Sequence, residues 1–221
     1  MQNKMQNKIK HIAIIPARKN SKGLKFKNRI LFNYTAKFLK KIKWFDQIIV
    51  ASDDKFLKNF TKKLRFNFYN RDKKNAQDDS SIKSLMQELV KKLQINKNCI
   101  LWLFYLTIPT KEKKDFIKLK NITNKKNFTS ALSFISPKSH PYDCWIINKK
   151  ITKFIKNDVF RRQDKIKLYE HHHYLCAFKV SELNKLNSEL LNSNTAPIIL
   201  KKDILEIDSK KDLNNFLKKQ K

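Results

Sequence analysis

Short β-rich runs alternate with amphipathic, lysine-faced segments through the first two thirds of the chain, and this alternation restricts the fold more than any other feature. The predicted order is strand His11 to Ile15, helix Tyr34 to Lys43, strand Gln47 to Ala51, helix Lys55 to Leu64 and strand Phe66 to Tyr69. It continues with helix Ser81 to Leu93, strand Ile100 to Leu106, helix Glu112 to Lys120 and strand Thr129 to Ile135. Strand, helix, strand is the pattern of a parallel crossover, so the expectation is an α/β fold with a mainly parallel sheet flanked by helices. Ligands of such sheets bind outside the carboxyl ends of the strands, which singles out the loop after the first strand.

That loop contains Gly23, the single glycine among 221 residues. Glycine serves where φ is positive or where backbone must approach a ligand closely, and here it is flanked by Arg18, Lys22, Lys25 and Lys27. A strand followed by a glycine loop with cations reads as a phosphate cradle. It has neither the further glycines of a dinucleotide fingerprint nor the Gly-Lys-Ser/Thr of a P-loop.

From Ser136 the texture changes. Pro137 and Pro141 punctuate a loop, and Trp145 to Ile147 and Ile151 to Ile155 flank Asn148-Lys149-Lys150 as a predicted hairpin. The remaining predictions are strand Tyr174 to Phe178, helix Ser181 to Leu191, strand Ile198 to Leu200 and, after Ile204 to Ile207, helix Lys210 to Lys219. One domain spanning 1–221, with an elaboration at about 136–175, accounts for the length.

The formal charge of +31 invites a nucleic-acid partner. The lysines are nevertheless spread along the whole chain, and the aromatics fall largely within strand and core patterns instead of interleaving with a basic face. Codons rich in A and T would give the same bias toward Lys, Asn, Ile and Phe, so no specific nucleic-acid partner is expected. Cys99, Cys144 and Cys176 are odd in number and lack Cys-x-x-Cys spacing, which suggests neither disulfides nor zinc and fits a reducing cytoplasm. The apolar run Ile100 to Ile108 is too short to span a bilayer, so no membrane association is expected.

The string Ile15-Pro16-Ala17-Arg18-x-x-Ser21-Lys22-Gly23-x-x-x-Lys27-Asn28 resembles the nucleotide-binding loop of acylneuraminate cytidylyltransferases, which join CTP to sialic acid and related nonulosonic acids. The resemblance implies a Rossmann-like nucleotide-diphospho-sugar transferase fold and a cytoplasmic homodimer using Mg²⁺. Arg18 and Lys22 would act on the phosphates, Ala17, Ser21 and Gly23 would shape the loop, and Lys27 and Asn28 would reach the nucleotide. Lys19 and Asn20 depart from the family pattern, which keeps a glycine before the serine.

Further matches run in family order. Arg71, Ala76, Asp78, Ser80 and Ser81 follow the pattern of the cytosine pocket, although Asp72 replaces a proline and a shortened stretch leaves open which serine faces the base. Their alternative is structural, with Asp79 and Ser80 capping the next helix. Phe104 to Lys111 occupies the place of Leu-Gln-Pro-Thr-Ser-Pro-Leu-Arg, so Tyr105 stands where a glutamine contacts the sugar acid and Lys111 replaces an arginine. Arg161-Arg162-Gln163-Asp164 and Tyr169 resemble the Arg-Gln-Asp motif, with Arg162 suited to the substrate carboxylate. The 136–175 elaboration would carry dimerisation and reach the partner's sugar pocket. His171, His172 and His173 alternate faces on an extended segment, which disfavours one shared ion and leaves structural or sugar-contacting roles.

Glu206-Ile207-Asp208 followed by Ser209-Lys210-Lys211-Asp212-Leu213 resembles the family's Asp-Ile-Asp and Thr-x-x-Asp-Leu. Two carboxylates two residues apart on a strand share a face and suit Mg²⁺ on triphosphate oxygens. The alternative is that Asp208 and Ser209 only cap the last helix. Two related functions remain open, a 3-deoxy-manno-octulosonate cytidylyltransferase and a relative that has lost catalysis. Ser21-Lys22-Gly23 favours the sialic-acid branch over the former.

Overall fold

The computed structural model describes residues 9–19, 23–72, 75 and 80–220. The alternation resolves into strands β1 (His11–Pro16), β2 (Gln47–Ser52), β3 (Asn67–Asn70), β4 (Ile100–Leu103), β5 (Ser130–Ile135), β6 (Trp145–Ile147), β7 (Ile151–Lys153), β8 (Glu170–Lys179) and β9 (Ala196–Ile199). The helices are α1 (Lys27–Lys40), α2 (Lys55–Lys63), α3 (Ile82–Lys92), α4 (Lys113–Thr123) and α5 (Lys210–Lys218). Seven strands form one sheet in the order β3-β2-β1-β4-β8-β5-β9, in which β8 runs antiparallel to both neighbours while the other pairings are parallel. β6 and β7 pair separately as the predicted hairpin.

Side-chain alternation along β1 divides the core between the two faces of the sheet. Ala13 and Ile15 pack with Leu31, Phe32 and Leu39 of α1, Phe116 of α4 and Phe216 of α5. Ile12 and Ile14 pack with Leu85, Met86 and Leu89 of α3. A period of two on the strand thus meets periods of three and four on the helices. Trp102, wholly buried on β4, donates from Nε1 to His11 Nδ1 at 3.1 Å, which satisfies its one polar atom.

Two expectations are corrected. α1 begins at Lys27 instead of Tyr34, because Leu31, Phe32, Thr35, Ala36 and Leu39 make a continuous buried stripe. The predicted helix Ser181 to Leu191 is instead a short 3₁₀ segment, Val180–Lys185. Asn187 Oδ1 accepts from the amides of Glu189 and Leu191 at 2.9 and 3.1 Å, and this side-chain turn competes with continued helix. Among the described residues, no helix is long and apolar enough to cross a membrane.

Candidate active site

A cavity of about 690 Å³ opens at the carboxyl ends of β1 and β4, lined on one side by Pro16, Arg18, Lys27 and Asn28 and on others by Arg71, Ser80 and Ser81, by Tyr105 to Thr107, and by Glu206 and Asp208. Parallel strands create this place, since β1 and β4 point their ends the same way and their following loops diverge.

The loop after β1 is tied down at both ends. Ala17, fully buried, donates its N–H to Ala51 O at 2.9 Å, and Asn28 Nδ2 donates to Arg18 O at 2.7 Å. Lys27 and Asn28 therefore belong to the first turn of α1, whose N-terminal residue Phe26 is left-handed (φ 57°) and supplies no side-chain cap. The amides of Lys27, Arg29 and Ile30 already donate to Leu24 O and Phe26 O, so what this helix start adds beside Arg18 is chiefly its positive dipole end. Ser21 and Lys22 lie outside the described residues, as do Ala76, Asp78 and Asp79.

Gly23 plays a different part from the one its sequence context suggests. Its φ is not positive, and a Cβ built there would meet the backbone oxygen of Asp208 at 2.5 Å. The close approach is to the chain itself, so the glycine lets the loop lie directly against the segment bearing Glu206 and Asp208. That segment forms no strand, contrary to the expectation, because it is held to the rest of the fold by single contacts instead of a ladder. Ile207 is buried and donates its N–H to Thr107 O at 2.8 Å, while both flanking carboxylates line the cavity.

The two carboxylates have different partners. Thr107 Oγ1 donates to Glu206 Oε1 at 3.0 Å, and the nearly buried Lys27 ammonium pairs with Asp208 Oδ1 at 2.8 Å, the carboxylate keeping 68% side-chain exposure. Capping of α5 belongs to Ser209, which forms a reciprocal box with Asp212. Asp208 is thus free of the capping role that competed for it. Mg²⁺ characteristically takes one or two carboxylates plus phosphate oxygens and waters, and this pair fits that donor set. Among the described residues no group of three His, Cys, Asp or Glu side chains could hold an ion within the protein alone.

On the opposite wall Arg71 is enclosed: burial above all pulls its guanidinium down from the usual arginine range, with Asp53 opposing and Arg18 adding to the effect. Arg71 also hydrogen-bonds the backbone of Asn75, and Glu88 of α3 gathers Tyr69, Asn75 and the Asp72 amide around it. The α3 cap is Ser81, whose hydroxyl accepts from Ser84 N at 3.1 Å, in place of the expected Ser80.

Tyr105 packs on His173 with ring centroids 4.6 Å apart, and burial raises its phenol well above the ordinary tyrosine value. His173, Ser188 and Glu189 also line the cavity. Predicting a helix over Ser188 and Glu189 hid them; the Asn187-Ser188 pair, a local helix breaker, was the available signal. His171 and His173 share one side of β8, their rings 4.7 Å apart, and His172 is buried. The alternation expected of the triplet is therefore present.

Arg162, Gln163 and Tyr169 are not brought to this cavity. Arg162 and Gln163 form an exposed 3₁₀ turn beyond the β6–β7 hairpin, and Tyr169 lies half-buried under Lys167, just before β8.

Fold and cavity together define a nucleotidyltransferase: a mostly parallel sheet whose first loop, first helix and last crossing segment surround one site with cations and two carboxylates. Residues 12–178 match the family described as cytidylyltransferase, and the chain belongs to that family. No curated protein sequence matches the chain. Among solved structures it is similar to a CMP:2-keto-3-deoxy-manno-octonic acid synthetase complexed with CTP, at 14% identity over 96% of this chain and 99% of that one, with a TM-score of 0.66. It is similar also to 4-diphosphocytidyl-2C-methyl-D-erythritol synthase from Anaerococcus prevotii, at 14% identity over 95% and 96% with a TM-score of 0.62. A third is 2-C-methyl-D-erythritol 4-phosphate cytidylyltransferase from Francisella tularensis, at 15% identity over 94% and 98% with a TM-score of 0.61.

Proposed function

We propose that the protein transfers the cytidylyl group of CTP to a nonulosonic, sialic-acid-like sugar, releasing pyrophosphate. The observation that carries the reading is the convergence of Arg18, Lys27 and Asn28 with Glu206 and Asp208 in one cavity, across from Arg71, Ser80 and Ser81. The anomeric hydroxyl of the sugar acid attacks the α-phosphorus, and the bond to the β-phosphate oxygen breaks. Arg18 and Lys22 neutralise charge that grows on the phosphate oxygens. Ala17, Ser21 and Gly23 shape the loop, and Lys27 and Asn28 hold it to α1. Arg71 with Ser80 or Ser81 borders the base. Bound Mg²⁺, held by Glu206 and Asp208, would supply further charge neutralisation on the triphosphate.

Tyr105 borders the sugar on this reading. Arg162, Gln163 and Tyr169 serve the cavity of a second copy, as the resemblance implies for the 136–175 elaboration. The β6–β7 hairpin and its exit support this with exposed apolar side chains at Trp145, Ile147, Ile151, Phe154 and Phe160, a concentration expected of a buried interface. The nonulosonic assignment is supported by Ser21-Lys22-Gly23 and by the order of the motifs. The octonic acid synthetase among the structural neighbours favours a second reading, an eight-carbon keto-acid acceptor. The test is pyrophosphate release from CTP and Mg²⁺ with N-acetylneuraminic, legionaminic, pseudaminic and 3-deoxy-manno-octulosonic acids. Turnover with a nine-carbon acid is expected; turnover with the eight-carbon acid alone would replace the first reading by the second, and release with none would remove both.

A further inference from the structure

The loop leaving β4 carries Tyr105, Leu106 and Thr107 into the cavity wall and then turns back toward α4, and its inward carbonyls have to find donors. Lys111 supplies them. Its Nζ donates to Tyr105 O at 3.1 Å, to Ile108 O, and to Thr35 Oγ1 at 3.0 Å. Two of these three partners are carbonyl oxygens of the loop itself, and the third belongs to α1. Thr35 is wholly buried in the middle of α1, the helix whose first turn holds Lys27 and Asn28. One amine therefore joins the loop bearing Tyr105 to the helix bearing the nucleotide-side residues.

We infer that Lys111 is a positioning residue for the acceptor side of the site, fixing the backbone beneath Tyr105 to α1 and so setting where the Tyr105 ring stands. Lys111 does not line the active cavity. It borders a separate pocket with Tyr34, Phe38, Pro109 and Phe216, so any effect on the reaction passes through the loop. Tyr105 in turn meets His173, and with Ser188 and Glu189 these form a wall distinct from the Arg18 loop. Enclosure pushes the Lys111 amine down to about 7, a cost that a surface lysine would avoid. The assignment of Tyr105 to the acceptor rests on the function proposed above; the mechanical link between Lys111 and Tyr105 does not.

The experiment compares Lys111→Met, which keeps the length of the stem and removes the donors, with the parent protein. Three quantities are read: CTP affinity by calorimetry, the His173 Cε1–H resonance by NMR, and steady-state kinetics with the best acid of the panel. The result expected is a displaced His173 resonance with those of His11 and His140 in place, and unchanged CTP affinity. The acceptor kcat/KM should fall by about tenfold to 10²-fold, mostly in KM, the scale of an ångström-sized misplacement. Thr35→Val, which removes only the α1 anchor, should show the same pattern more weakly, and it stands in if Lys111→Met does not fold. An undisturbed His173 resonance, or a loss shared equally by CTP affinity, overturns the inference. If the parent turns over no acid, the functional reading fails while the resonance still decides the link.

Discussion

The nucleotide side of the cavity and the elaboration that follows β5 are built by opposite rules. Around Arg18, parts of the chain about a hundred residues or more apart lock onto one another: Gly23 against the Asp208 backbone, Lys27 on Asp208, Ile207 on Thr107. The elaboration at 141–169 makes contacts within itself, such as Lys165 on Asp143 and Arg161 on Asp164, and it exposes large apolar side chains, Phe160 to 83%. On the function proposed above, a site built within one chain binds nucleotide alone, whereas a surface of this kind gains from a partner. The contrast separates residues whose loss harms chemistry from those whose loss harms assembly.

The largest effects are expected on the closed side. Arg18→Ala should reduce turnover by about 10²-fold or more with an unchanged melting profile, by analogy with the loss of one oriented donor to a charged transition state. Asp208→Asn should cost a similar factor in Mg²⁺-dependent turnover while leaving Mg²⁺-free CTP binding nearly intact, because the amide keeps the shape and loses the charge. Normal turnover and metal dependence in Asp208→Asn would make that carboxylate a partner of Lys27 only.

Gly23→Ala comes next, since a methyl 2.5 Å from Asp208 O forces the loop and the C-terminal segment apart. Overpacking of this kind costs about 1–3 kcal/mol, to be read by chemical denaturation. An unaltered midpoint would show that the loop does not press on the segment. In the elaboration, Ile147→Lys combined with Phe160→Ser should leave the stability of the chain within roughly 0.5 kcal/mol, as exposed substitutions do, yet reduce self-association seen by light scattering. Equal association of variant and parent would remove the hairpin from the interface.

The last effect concerns acid. Burial, then the neighbouring His173, lowers His171 from the ordinary 6.5 to about 4, with Glu189 opposing. The unfolded chain binds this proton first, so the contribution of neutral His171 is complete above about pH 6.5 and is lost as pH falls toward 4. His171→Phe, which keeps a ring beside Phe134, should flatten the fall in melting temperature across that window. A parallel fall in both proteins would assign the acid sensitivity elsewhere.

The sheet and its helices were legible because Ile12 to Ile15 and the helix stripes follow the periods of buried elements. Of the residues that the motifs singled out, Arg18, Lys27, Asn28, Arg71, Tyr105, Glu206 and Asp208 line one cavity. What Gly23 faces was not legible, because its neighbour comes from the far end of the chain. Ser188 and Glu189 were missed because Asn187 diverts the backbone by a side-chain hydrogen bond, a local competition that hydrophobic periodicity does not register. The place of Arg162 and Gln163, an exposed turn outside the cavity, was obscured for a different reason, since a motif reports chemistry without reporting where the fold carries it.

The most direct test of the central claim, a site closed within one chain for a cytidine nucleotide, is the shift in unfolding free energy with CTP and Mg²⁺ compared with ATP and Mg²⁺. Ligand binding to the native state alone stabilises by about 2.7 kcal/mol at a hundredfold excess over the dissociation constant. The account predicts a shift of that size for CTP, a much smaller one for ATP, and persistence of the CTP shift in the Ile147→Lys, Phe160→Ser variant. Equal shifts with the two nucleotides, or loss of the CTP shift in that variant, would contradict it.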